Sequence, residues 1–243
     1  MSFLRYNDIA AMSVLHRSAC ERMTRTTRCI DLGGTWTFGS PSVLMMFHRA
    51  AGQLDTENAQ MRDCMPFYYK VTDGHGSGAA EDQLLQISAD RVLYTAPDGI
   101  PEHVPVEVAG TAFDFRSPRL LRDALRTDAP QLRQQAGFDH NYCLDGSGFR
   151  RAAVLHGCRS HVTMEVWTDQ PGMQLFTLNH VPSPIEGKNG KHYRAHGAVC
   201  LETQQYPNAV NEPAFPSCVI RAGETASTVT ELRFYEERTK EDD

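Results

Sequence analysis

Three short stretches hold side chains that could take part in acid–base and hydrogen-bonding chemistry: GFDHNYCL at 137–144, PGMQLF at 171–176 and AVCLETQQYPNAVNEPAFPS at 198–217. Among the groups they hold are the carboxylates Asp139 and Glu202, the amide Gln174 and the imidazole His140; His196 lies just ahead of the third stretch, and His75 further upstream. A carboxylate is an efficient general base near neutral pH only when partial burial raises its pKa toward the working pH. By residue type alone, each group has a plain structural reading. Glu202 in VCLETQ would point to solvent at period two. Asp139, ahead of His140 and Asn141, would close an Asx-type turn, and Gln174 would be an ordinary strand residue. A lone histidine is more often structural than a proton donor. The cysteines at 20, 29, 64, 143, 158, 200 and 218 are odd in number and irregularly spaced, with no CxxC pair. Neither a disulfide framework nor a zinc site is expected of them.

The elements that must hold these groups read as strands. From Leu84 onward, short runs alternate apolar and polar residues; in HVTMEVWT, Val162, Met164 and Val166 share one face. In TASTVTELRFYE, Thr228, Thr230, Leu232 and Phe234 fall opposite Val229, Glu231, Arg233 and Tyr235. Turn signals separate the runs, at APDG 96–99, DGSG 145–148, DQPG 169–172 and EGKNGK 186–191. Many strands with frequent turns predict an all-β sandwich. One short helix is expected in SPRLLRDALR at 117–126, with Ser117 as N-cap and Pro118 at the first helical position. Residues 1–73 are different: VLMMFHRAAG at 43–52 shows neither period. They read either as an N-terminal extension with a helix or two, or as rearranged or misread coding sequence.

At 243 residues the chain fits one all-β domain or two small ones, of which one is the simpler. A net charge of −6 argues against nucleic acid as a partner. No apolar run approaches the roughly 20 residues of a membrane span, and the first 30 residues lack a signal-peptide core. A soluble cytoplasmic protein is expected, with no membrane partner.

Several motifs occur together in a fixed order: LLQISADRVLYTAPDGIP at 84–101, VAGTAFDFRSPRLL at 108–121, GFDHNYCL, MEVWTDQPGMQLFTLN at 164–179, GKNGKHYRAHGAVCLETQ at 187–204 and FPSCVIRAGET at 215–225. The series resembles the C-terminal part of the aldose 1-epimerase (galactose mutarotase) family, over about residues 74–237. Ala112 stands where the family usually has proline. The resemblance implies a galactose-mutarotase-like β-sandwich (a supersandwich) incomplete on its N-terminal side, with 74–243 as its C-terminal portion and 1–73 outside the resemblance. It implies interconversion of α and β anomers of hexoses such as galactose or glucose, with no metal or organic cofactor. A base removes the C1 hydroxyl proton, an acid protonates the ring oxygen, and the opened aldehyde rotates and recloses.

By their place in the motifs, Glu202 is implied as the general base, and Asp139 and Gln174 as substrate-binding groups. The partner implied is a small-molecule hexose, bound by a monomer or weak dimer. The catalytic acid is unassigned: PFYYKVTD at 66–73 occupies the place of the family's histidine motif and holds no histidine. Loss of a positioned general acid typically costs about 10²–10⁴-fold in rate, so impaired activity is expected. The alternatives are a non-catalytic carbohydrate-binding protein and a truncated or misread gene product. A hexose 6-phosphate epimerase is less favoured, because Arg150-Arg151 and Lys188-Lys191 fall in turn-like stretches where charge is normally solvated.

Overall fold

The computed structural model describes residues 27–30, 44–53, 58–60, 68–69, 80–158, 161–180, 185–186, 192–193, 195–221 and 225–236. Among them no helix is long and apolar enough to cross a membrane.

The strands in chain order begin with β1 (Thr27–Ile30), β2 (Leu44–Gln53), β3 (Asn58–Gln60), β4 (Tyr68–Tyr69), β5 (Gln83–Ile87), β6 (Arg91–Leu93), β7 (Val106–Glu107) and β8 (Arg119–Leu120). They continue with β9 (Asp139–Cys143), β10 (Arg150–Gly157), β11 (Val162–Thr168), β12 (Gly172–Phe176), β13 (Ile185–Glu186) and β14 (His192–Tyr193). The last are β15 (Val199–Gln204), β16 (Val219–Arg221) and β17 (Thr225–Glu236). Seven form one sheet, in the order β1-β2-β17-β11-β10-β5-β8, and six form a second, in the order β4-β15-β12-β9-β6-β7. The expected all-β sandwich is therefore present. Its core joins both sheets: Leu85, Leu155, Met164, Val166 and Leu232 from one meet Val92, Tyr142, Met173, Leu175 and Leu201 from the other.

The alternation read in the sequence holds. Met164 and Val166 are buried while Glu165 and Trp167 are half-exposed. Thr228, Thr230, Leu232 and Phe234 are buried as a set, but Glu231, on the opposite face, is buried as well and takes the Arg233 guanidinium. The two sheets also share a hydroxyl chain. Thr203 of β15 lies 2.6 Å from Thr230 of β17, Thr230 lies 3.1 Å from Thr168 of β11, and Thr168 donates to the Val229 carbonyl. Since that last bond uses the Thr168 proton, the chain runs one way, with Thr203 donating to Thr230 and Thr230 to Thr168.

Two local expectations are corrected. The helix within 117–126 spans only Leu121–Leu125, and its N-cap is Leu120, without a side-chain cap; Ser117 does not serve. Arg119 and Leu120 are drawn instead into pairing with β5, which postpones the helix by one turn. The segment 44–53, patternless in sequence, forms the long β2 and pairs with β17 over ten residues, from Thr225 opposite Gln53 to Phe234 opposite Leu44.

A second helix, Pro130–Gln135, was not expected. Pro130 opens it at a position where a missing N–H costs nothing, and Ala136 closes it in the left-handed conformation. Gly137 follows at φ +143, where an added Cβ would lie 2.3 Å from the Asn179 side-chain oxygen. Asn179 uses that space to donate to the carbonyls of Gln135 and Phe138, at 2.8 and 2.9 Å. The clasp fixes where β9 begins, and so where Asp139 stands.

Candidate functional site

The strands β9, β12 and β15 lie side by side, and their register decides which side chains meet. Gln174 is opposite Glu202 on one flank and Asn141 on the other; Phe176 is opposite Asp139 and Cys200. Directly opposed residues of a sheet share a face, as do residues two apart. Asp139, Asn141, Gln174, Glu202 and Gln204 thus stand on the outer face, whereas His140, Tyr142, Met173, Leu175 and Leu201 point into the core. The structure brings together all three groups singled out from the sequence.

Side-chain bonds tie this face. Gln174 Nε2 donates to Asp139 Oδ1 at 2.7 Å, and Gln204 Nε2 donates at 3.2 Å to both Gln174 Oε1 and Asn141 Oδ1. Asp139 is therefore a strand residue bonded across strands, not the opening of an Asx turn. Asp139, Gln174 and Glu202 are each half-buried, reachable by a ligand but partly shielded from water. Beside them the segment after β15 folds back over the sheet. Tyr206 packs edge-on against Phe215 at 5.3 Å, and its hydroxyl meets the Cys143 thiol. With Leu93 they form a small apolar cluster flanking the polar face. Burial pushes both the Cys143 thiol and the Tyr206 phenol above their ordinary pKa values, so Cys143 is an inert thiol.

The imidazole next to Asp139 turns away from this face. His140 is fully buried on the core face, its ring 4.8 Å from that of Phe113. Its Nδ1 accepts the Asp139 backbone N–H at 3.0 Å, so the proton sits on Nε2, which donates to Gln131 Oε1 at 3.0 Å. Burial holds its pKa down at about 4, leaving the ring neutral at pH 7. His196 is half-buried at φ +58, with Nδ1 against the Thr177 carbonyl at 3.2 Å. His75 lies outside the described residues.

The arginines weighed as phosphate ligands are engaged as well. Arg150 opens β10 rather than sitting in a turn, and it donates to the carbonyls of Asp145, Gly148 and Thr168. Arg151 pairs with Glu165 at 2.8 Å. Lys188 and Lys191 lie outside the described residues. A depression lined by Gly110, Asp114, Arg116 and Arg119 is likewise self-neutralised, with Arg116 bonded to Asp114 at 2.9 Å and to Asp90 at 3.3 Å.

Sequence reasoning missed Asn141 and Gln204. The signal for both was present: each lies two residues beyond a chosen carboxylate, and period two puts it on the same face.

Comparison with known proteins gives a consistent result. The family model described as aldose 1-epimerase matches residues 68–233. Galactose mutarotase of Rattus norvegicus is 35% identical over 201 residues, which cover 82% of this chain and 56% of that protein. Aldose 1-epimerase of Escherichia coli is 32% identical over 174 residues, 70% of this chain and 49% of that protein. Among solved structures, a galactose 1-epimerase from Lactobacillus acidophilus superposes with a TM-score of 0.68 at 25% identity, covering 80% of this chain and 54% of its own. An aldose epimerase homologue from C. elegans gives 0.70 at 20% identity, a likeness of fold. The chain spans a little over half the length of the mammalian relatives it matches.

Proposed function

The chain belongs to the aldose 1-epimerase family, and from that premise we propose that it takes a hexose on the outer face of the six-stranded sheet, with Glu202 as general base in ring opening. Asp139 and Gln174 are the groups that hold sugar hydroxyls. One oxygen of Asp139 is engaged by Gln174, which leaves the other for a hydroxyl donor. Glu202 stands one strand further along, directly opposite Gln174, within reach of the same small ring. That register is the observation that carries the reading: three groups far apart in sequence stand on one patch of sheet. We further assign residues 74–243 to the C-terminal portion of the family sandwich, with β1 and β2 extending the edge of one sheet and β4 the edge of the other.

Ring opening needs a base at the C1 hydroxyl and an acid at the ring oxygen. Glu202 supplies the first, and Tyr206 and Phe215 give an apolar wall that shields one side from water. The second role has no assigned residue, so weak turnover is expected. A second reading, sugar binding without catalysis, is favoured by one observation: His140, the imidazole next to Asp139, faces the core and is fully hydrogen-bonded there.

Polarimetry on freshly dissolved α-galactose separates the two. Acceleration over buffer that disappears in Glu202→Gln supports the enzyme. Calorimetric binding of galactose without acceleration supports the binding protein, and folded protein showing neither removes both.

A further inference from the structure

We propose that Asn141 and Gln204 are positioning residues which fix the direction of the Gln174 amide, and with it the kind of group this sheet face accepts; the ligand rests on the sugar-binding reading above, the direction on the hydrogen bonds alone. A carboxylate can only accept hydrogen bonds. Asp139 therefore compels Gln174 to present Nε2, across 2.7 Å, and to turn Oε1 the other way. Gln204 Nε2 meets that oxygen and bonds Asn141 Oδ1 as well, both at 3.2 Å, while Asn141 turns its own Nδ2 toward the Tyr142 carbonyl at 3.3 Å. Every link has one donor and one acceptor, so reversing any amide sets two oxygens or two N–H groups against each other.

Gly172 makes the crossing possible. It lies on the central strand between Cys143 of β9 and Gln204 of β15. A Cβ there would come within 2.7 Å of Asn141 Oδ1 and 3.0 Å of Tyr206 Cδ1. The missing side chain is the gap through which Asn141 reaches over β12 to Gln204.

The consequence concerns recognition. With Oε1 held by Gln204, Gln174 faces a ligand as a donor through its second Nε2 proton, and Asp139 faces it as an acceptor through its second oxygen. A hydroxyl satisfies both at once, by accepting from one and donating to the other. A group that only donates or only accepts satisfies one of them. The two amides behind the site thus choose hydroxyl ligands without touching them.

The test uses the full chain with two substitutions at one position and two readouts. Gln204→Met keeps the bulk and removes the donors; Gln204→Glu substitutes an acceptor, which would draw Gln174 Nε2 to itself and turn Oε1 onto Asp139. The readouts are galactose affinity by titration calorimetry and the side-chain amide proton signals of Gln174, identified by their loss in Gln174→Ala. Affinity should fall about fivefold in Gln204→Met, the size of one net hydrogen bond, and about thirtyfold in Gln204→Glu, where like atoms are opposed. The Gln174 amide signals should move further in Gln204→Glu than in Gln204→Met. Gly172→Ala, which displaces Asn141 from the other end, should move the same signals and lower affinity by about fivefold; it serves if Gln204→Glu does not fold. Galactose binding by Gln204→Glu as tight as in the parent chain, or Gln174 signals unmoved in both Gln204→Glu and Gly172→Ala, would overturn the proposal. If the parent chain gives no heat with galactose, the sugar reading fails and the amide signals alone decide the direction.

Discussion

The strands β9, β12 and β15 carry two chemistries back to back. On the core face, Tyr142, Met173, Leu175 and Leu201 are almost fully buried, and stability comes from apolar area and tight packing. On the outer face, Asp139, Asn141, Gln174, Glu202 and Gln204 keep polar groups in defined orientation. A single residue step separates the two. Asp139 lies half-exposed on the outer face while its neighbour His140 is sealed among aromatic rings. One face serves cohesion and the other holds the proposed sugar-binding groups, so damage to each should have a different signature.

The sharpest contrast is expected at Leu175. Leu175→Ala opens a cavity in the core and should cost about 3 kcal/mol in chemical denaturation; a change under about 1 kcal/mol would mean that the two sheets do not pack as described.

Nearly as large is the pH response of His140. Its pKa is near 4 in the folded chain, against about 6.5 when unfolded. The unfolded state therefore binds the proton more readily. Stability is complete above pH 6.5 and is lost as pH falls toward 4, by about 3 kcal/mol in total. Denaturation midpoints between pH 7 and 4 check this, and His140→Phe should flatten the slope. An unchanged slope in that variant would place the buried titration elsewhere.

Thr203→Val breaks one link of the inter-sheet hydroxyl chain and should cost about 1 kcal/mol. The smallest stability effect is expected at Asp139→Asn, about 0.5 kcal/mol. That substitution should nonetheless remove measurable galactose binding, because an amide that keeps its oxygen on Gln174 Nε2 turns an N–H toward the sugar where a carboxylate oxygen accepted. Loss of stability without loss of binding would erase the distinction between the faces.

The sequence made the strand faces legible wherever one side is buried and the other wet. Met164 and Val166 show this, as do Thr228, Thr230, Leu232 and Phe234. The family motifs brought Asp139, Gln174 and Glu202 forward, and the register sets them on one face. What could not be read depends on pairing between distant segments. VLMMFHRAAG carries no period of its own, and β2 is fixed by ten partners on β17. The helix Pro130–Gln135 buries only Leu132, too little to mark a face in six residues. Ser117 resembles a cap, but pairing with β5 claims the next two positions. Glu231 falls at a polar position by period and is nevertheless buried, because Arg233, stacked at 4.1 Å over the Trp167 ring, neutralises it.

The threonine chain has a dynamic consequence. Thr203 is the immediate neighbour of Glu202, and its hydroxyl is stitched through Thr230 and Thr168 into the opposite layer. The strand bearing Glu202 cannot peel away alone without parting the sandwich. Its backbone amides should therefore exchange with deuterium only at the pace of global opening, while those of the 205–218 segment beside it exchange earlier. A hexose arriving at this face would meet a rigid floor beneath a livelier wall.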